Sequence, residues 1–501
     1  MNSVASFWRL WTARVPGIIA HRYFFYGVVL VFCISAVWLA VSVTYPMIFD
    51  EEYHLGIIDI YSRQLSPFIA VQPPEAAVYG DITRYNSYLY HYLASFPYRL
   101  AKLFTSDIQT LTILLRLLSV ATVVAALFMY RWVLLLAKLP RAVVHFTLLL
   151  FVATPLVPFV SAHVSYDPVT LLLVPAMAYC LLRAIQKEDW AGWLLGLVSL
   201  GMLATLVKFT MLPIFAVFLL IAGVVLVRQH KTKIFTDFID SFKKLRFGVK
   251  GVLIVLLVIS FGLFAERYGG NLLRYHSLTP DCSQVQSRET CLQYSPWARN
   301  DTLLAQQKIE PKAVNNPLLY TVVNWLPQII NDLFITAAYP PTGALALHQG
   351  TPQNLHAAAG HPVLRCIGWS ILLGGAVLVW LFRRQLKYHL PLLFILAGGA
   401  IYTIALWWRN YSEYSLFAVP VAIQGRYFIP LLPFLLALIV LAASRVLKRR
   451  SIKAVIATGL IVAGVFGSGA LTYIFYSETD WHWPAMRQAN EFLQTVVHYM
   501  K

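Results

Sequence analysis

The chain has 501 residues, of which 59% are hydrophobic and 12% charged, with a formal net charge of +18. Soluble globular chains are about 25% charged, so this composition excludes a soluble enzyme, a disordered chain and a classical nucleic-acid binder. At a mean hydropathy of +0.65, the positive excess is first a question of where the charges sit relative to a membrane.

A helix needs about 20 mostly apolar residues to cross a bilayer. About eleven such stretches are present, near 24–44, 111–130, 143–159, 168–182, 191–207, 211–227, 251–265, 366–382, 390–408, 427–444 and 454–476. They predict an all-α polytopic membrane protein. The first run is long and no small-residue cleavage site clearly follows it, so it reads as an anchor, with residues 1–23 cytoplasmic. On that topology the inner segments hold 23 Lys and Arg against four acids (Glu188, Asp189, Asp237 and Asp240), a balance of +19. The outer side holds 17 basic and 18 acidic residues, a balance of −1. This is the pattern of the positive-inside rule. Binding of the inner charges to anionic lipid headgroups is a secondary reading.

The polar mass falls into two outer loops, 45–110 and 266–365. They divide the chain into a bundle over 24–265 that includes the first loop, the second loop, C-terminal helices over 366–476 and an outer tail, 477–501. The first loop opens with Asp50-Glu51-Glu52-Tyr53-His54. Consecutive carboxylates at a membrane surface repel one another, which favours protonation of one of them. A helix starting at Asp50 would put Asp50 and His54 on one face, where they can abstract a proton or hold a metal. An acidic helix start explains the same residues without function. The tyrosine-rich stretch from Arg84 to Arg99 reads as an interfacial anchor or as an aromatic wall for a sugar or a lipid tail.

The second loop holds Cys282 and Cys291, a pair able to form a disulfide in an oxidising compartment. Cys33, Cys180 and Cys366 read as apolar fillers. Residues 316–337 read as an amphipathic helix lying on the outer membrane surface. Four ionisable residues stand at or near span edges: Asp167, Arg116, Lys208 and Arg426. Such residues are expensive in lipid. Lys208 and Arg426, both on the outer side, suit a lipid phosphate, with snorkelling as the plain alternative. Gly425 would let the backbone approach closely beside Arg426. No acid falls mid-span, which argues against an ion-coupled transporter.

This layout resembles the GT-C class of membrane glycosyltransferases, which take sugar from a polyprenyl-phosphate donor on the outer face. The resemblance rests on Asp50-Glu51 after the first span, on Asp-Glu-x-x-His through His54, and on Ser165-Tyr166-Asp167. It rests also on the Cys282-to-Cys291 loop, on Gln424-Gly425-Arg426-Tyr427-Phe428-Ile429-Pro430-Leu431-Leu432-Pro433 and on Arg116. The pattern resembles that of a poorly characterised bacterial branch of multi-pass proteins, and the resemblance covers about 24–476. Where many relatives have a His-Pro-Pro-type segment, this chain has Asn86-Ser87-Tyr88.

The resemblance implies a GT-C-like bundle in a bacterial inner membrane with its active site facing the periplasm. It implies inverting transfer of a hexosyl or pentosyl group to an envelope glycan, lipid or protein acceptor. Asp50 is then the general base with Glu51 as runner-up, and His54 orients the carboxylates or the donor phosphate. Lys208, Arg426 and Arg116 bind that phosphate, and Asp167 binds acceptor or a divalent ion. No cofactor is certain, and Mg or Mn fits the carboxylates and histidine. A lipid-linked oligosaccharide flippase, or an O-antigen ligase or polymerase, is the competing reading. No nucleic-acid partner is expected.

Overall fold

A computed structural model describes residues 14–47, 50–186, 189–310, 316–334, 362–447, 449, 452–453, 455–460 and 483–499. Among them the elements are all helical. The helices used below are α1 Arg22–Ser42, α2 Glu51–Ser62, α3 Leu89–Lys102, α4 Ile108–Leu136, α5 Arg141–Ala153, α6 Asp167–Gln186, α7 Trp190–Val207, α8 Leu212–His230, α9 Phe247–Phe264, α10 Leu326–Leu333, α11 Pro362–Phe382, α12 Leu390–Phe417 and α13 Leu432–Val446.

Among the described residues, seven helical segments are long and apolar enough to cross a membrane, and α5 and α13 are shorter apolar helices. The expected spans from 24–44 through 427–444 all meet described helices, with shifted ends. The stretch 143–159 is split, because α5 stops at Ala153 and a new helix begins at Leu156 after Pro155. Proline has no N–H to continue the ladder. The span expected from 427 starts as a tight turn, Gly425–Phe428, and becomes α13 only at Leu432. Residues 455–460 are helical, and the rest of 454–476 lies outside the described residues, as do 1–13 and 335–361.

Helix α4 runs through the middle of the bundle. Asp107 caps it by accepting the Thr110 N–H at 2.9 Å, one of the donors a helix start leaves unpaired. Its Val123, Leu127, Tyr130 and Leu134 side chains are fully buried. The Tyr130 hydroxyl donates to the Pro430 carbonyl at 2.7 Å, so the two halves of the chain pack as one core.

The bundle has two chemically distinct ends. One gathers the basic connections: the Trp190 ring lies 5.0 Å from His230, and the Ala191 N–H donates to Ser241 Oγ at 3.0 Å. The other gathers both large loops. The first loop folds as α2, a turn at Pro74–Tyr79 and α3. Helix α9 does not end at the expected boundary. It continues through a wide turn, Ala265–Gly269, into Gly270–Tyr275. There the buried Arg267 donates to the carbonyls of Thr83 and Tyr85 at 2.8 and 3.0 Å, and Arg84 pairs with Glu266 at 2.8 Å. These contacts clamp the first loop to the second.

The expected surface helix 316–337 is more deeply seated than anticipated. Leu318, Leu319, Val322 and Val323 are exposed, but Ile329, Ile330, Asp332 and Leu333 of α10 are buried. The reason is Gly425. A Cβ there would stand 2.7 Å from both the Ile329 carbonyl oxygen and the Asp332 Cβ, so only glycine lets this turn lie on α10. The anticipated close approach is real, and it is made to a helix.

Candidate active site

The loop end brings Asp50, Glu51, Asp167, Lys208 and Arg426 together, and Arg116 joins them from α4. Two adjacent acids behave differently. Glu51, the first residue of α2, is wholly buried. Arg116 grips it twice, Nε on Oε1 at 2.9 Å and Nη2 on Oε2 at 2.6 Å. The Met47 and Val164 N–H groups donate to the same carboxylate at 2.7 and 3.1 Å. Burial works to raise its pKa, but Arg116 and these donors prevail and hold it below the ordinary value.

The rest of the Arg116 guanidinium donates to the carbonyls of Ala40 and Val43 at the end of α1. A phosphate could reach Arg116 only by breaking these bonds. Arg116, expected at a donor phosphate, is here committed to Glu51. Together they lock α1, α2, α4 and the 163–167 segment.

Asp50 has its backbone in the left-handed region, at φ 68° and ψ 26°. Aspartate is among the few side chains that visit this region, and such outliers gather at functional sites. Its Oδ2 takes Arg426 Nη2 at 2.8 Å, and the side chain keeps 36% of its surface exposed where Arg426 keeps 3%. Arg426 is held in turn by Gln424 Oε1 at 2.6 Å and lies 3.8 Å from Asp167 Oδ2. Burial opposes its charge, yet Asp50 and Asp167 hold its pKa well above the usual value.

Asp167 Oδ1 takes the Lys208 ammonium, while its buried Oδ2 has no hydrogen bond. Lys208 lies over the Tyr427 and Tyr166 rings at 4.4 and 4.7 Å, contacts that favour a cation. Burial nonetheless pulls its pKa down to about 8, against support from Asp167.

The expected Asp50–His54 face does not form. The left-handed residue turns the Asp50 side chain toward Arg426. His54 is buried and hydrogen-bonds His91, Nδ1 to Nε2, at 2.9 Å. His91 Nδ1 lies 3.2 Å from the Ser87 carbonyl, which can only accept, so His91 donates there. His54 Nδ1–H then donates to His91 Nε2, and the His54 Nε2 lone pair is left as an acceptor. Burial pushes both rings toward the neutral form, His91 to about 3.

Sequence reasoning missed His91, His163 and Ser87. His163, buried with Nε2 unpartnered, carried no motif. Ser87 lies in the segment where the chain departs from the resembled pattern. Its Oγ takes the Phe209 N–H at 2.9 Å and so fixes the turn bearing Lys208. The tyrosine-rich stretch divides as well: Tyr88, Tyr90 and Tyr98 are buried, and Tyr85 is half-buried at the site. In the second loop Cys282 and Cys291 are disulfide-bonded. Among the described residues, no three of His, Cys, Asp and Glu are grouped to hold a metal ion.

Residues 91–261, about a third of the chain, match the family model described as dolichyl-phosphate-mannose-protein mannosyltransferase. That region carries His91, Arg116, Asp167 and Lys208, and Asp50, Glu51 and Arg426 lie outside it. No curated protein matches the sequence. Among solved structures, the crystal structure of ArnT from Cupriavidus metallidurans in the apo state is similar at 13% identity and a TM-score of 0.45. The alignment covers 87% of this chain and 62% of that one, so this chain spans about three fifths of its length. Residues 91–261 are thus similar to a family of membrane mannosyltransferases, within a chain whose described elements are all helical.

Proposed function

We propose that the chain moves a sugar from a polyprenyl-phosphate donor to an acceptor hydroxyl at its loop end, with Asp50 as general base. The observation that carries this reading is the contrast between two neighbouring acids. Glu51 is sealed on Arg116, whereas Asp50 is partly exposed on Arg426 beside the Lys208–Asp167 pair. Only Asp50 is placed to meet a substrate.

In the reaction the acceptor oxygen forms a bond to the anomeric carbon as its proton passes to Asp50. The bond from that carbon to the phosphate oxygen breaks on the opposite face, which gives inversion. The electron pair leaves with polyprenyl phosphate. Arg426 and Lys208 meet the growing negative charge, the largest contribution in many such steps. Arg426 also holds Asp50 before substrate arrives. An incoming phosphate competes for the guanidinium and frees the carboxylate to act as base. Arg116 acts here as a positioning residue, and Asp167 holds Lys208. Because Arg426 and Lys208 already meet the Asp50 and Asp167 carboxylates, these side chains as placed do not suit Mg or Mn, and no step runs through a metal.

The positive-inside charge pattern supports placing the loop end on the periplasmic face of a bacterial inner membrane, with the N-terminus cytoplasmic. Membrane lipids surround the spans. The test is reconstitution with a panel of polyprenyl-phosphate hexoses and pentoses, reading release of polyprenyl phosphate. Asp50→Asn should stay folded and lose release. Wild-type release in that variant would overturn the base assignment.

A further inference from the structure

Tyrosines at the loop end fall into two groups. Tyr61, Tyr88, Tyr90 and Tyr268 are buried core residues. Tyr53, Tyr85, Tyr166, Tyr294 and Tyr427 are half-buried around the acids and cations. Tyr166 and Tyr427 already lie under the Lys208 ammonium. Tyr53, Tyr85 and Tyr294 make up the rest, and Tyr294 lies within electrostatic reach of Asp50 and Tyr85. The hydroxyls of Tyr53, Tyr85 and Tyr166 come together.

The Tyr53 and Tyr294 rings are 6.0 Å apart and tilted by 34°. A ligand ring inserted between them would need about 7–8 Å, twice a normal carbon contact. The two rings therefore make a single wall. Both loops are shaped for it. Gly80, at φ +78°, lies so close to Tyr294 that a Cβ would stand 2.9 Å from its ring. A Cβ at Gly56 would collide with Tyr79, whose ring packs edge-on to Tyr53 at 5.9 Å. Tyr294 itself is placed by the disulfide loop, its N–H donating to the Cys291 carbonyl at 3.0 Å.

We propose that Tyr53, Tyr85 and Tyr294 form a stacking subsite for a pyranose ring, so that the acceptor presenting its hydroxyl to Asp50 is a glycan. Tyrosine joins an apolar face to a polar tip. A pyranose has the same division, with C–H groups on its faces and hydroxyls at its rim. A lipid tail does not suit a wall bordered by the Asp50 carboxylate, and a peptide serine or threonine would not need the wall. This inference rests on the transfer reading above and narrows its acceptor to one class.

The test uses the full chain in lipid nanodiscs. Acceptor KM is measured with methyl glycosides of the common hexoses and with a serine peptide, and binding of the same glycosides without donor is followed by saturation-transfer NMR. Tyr294→Ala should raise the glycoside KM about tenfold with the donor KM unchanged, and Tyr294→Phe should restore it, since the face does the stacking. Tyr53→Leu provides a second arm if Tyr294→Ala folds poorly. Equal KM values in wild type and Tyr294→Ala, or better use of the serine peptide, overturn the subsite while transfer stands. If no donor releases polyprenyl phosphate but glycosides bind wild type and not Tyr294→Ala, the transfer reading falls and the subsite stands.

Discussion

Residues 50 and 51 are both acids, and each is paired with an arginine. The Glu51–Arg116 pair has both side chains at 0% exposure, whereas Asp50 stays 36% exposed on Arg426. A bidentate pair with backbone donors on both oxygens leaves nothing for a substrate to take. A pair with one open carboxylate can exchange partners. An acidic doublet is thus two arrangements, one sealed between helices and one left open to solvent.

The largest expected effect comes from breaking the sealed pair. Arg116→Ala leaves a buried carboxylate without its cation and should cost about 3–5 kcal/mol, read as loss of folded protein in thermal unfolding in detergent. If that variant unfolds like wild type, the sealed pair is not structural. Asp50→Asn should leave unfolding unchanged and lower transfer about 10²–10⁴-fold, the usual weight of a general base. A variant that both unfolds and loses activity would erase the distinction between the two acids.

Gly425→Ala is a subtler probe of the open pair. Its Cβ must push α10 away or move Arg426, at a cost of about 1–3 kcal/mol, and donor KM should rise with it. The smallest effect concerns pH. Lys208 is charged below about 8 and loses its proton as pH rises through that value. Transfer should therefore fall several-fold on the alkaline side, and Lys208→Arg should remove that limb. An unchanged pH profile in Lys208→Arg would mean that Lys208 does not meet the phosphate.

The spans were legible because lipid demands long apolar runs, and α1, α4, α6 and α7 follow that rule closely. Their ends were less so, since Pro155 and the turn at Gly425 act through backbone geometry. Asp50, Lys208 and Arg426 were each singled out from their places at span edges, and the structure brings them together. The pairing did not. Nothing in linear order says that Arg116 points to Glu51, or that a left-handed backbone turns Asp50 away from His54. His91 and Ser87 escaped notice because their role is to carry hydrogen bonds between loops, a property of contact and not of spacing.

The two arginine pairs also differ in when they can exist. Arg116 and Glu51 are 65 positions apart, so the sealed pair can close once the second long helix has left the ribosome. Arg426 and Asp50 are 376 positions apart. At roughly 5–20 residues per second, the second arginine is made about 20–75 s after its aspartate. During synthesis Asp50 waits without Arg426, and the scaffold that presents it is assembled first. The order of synthesis thus lets the sealed clasp close early, whereas the open Asp50–Arg426 pair can be completed only when nearly all the spans have been made.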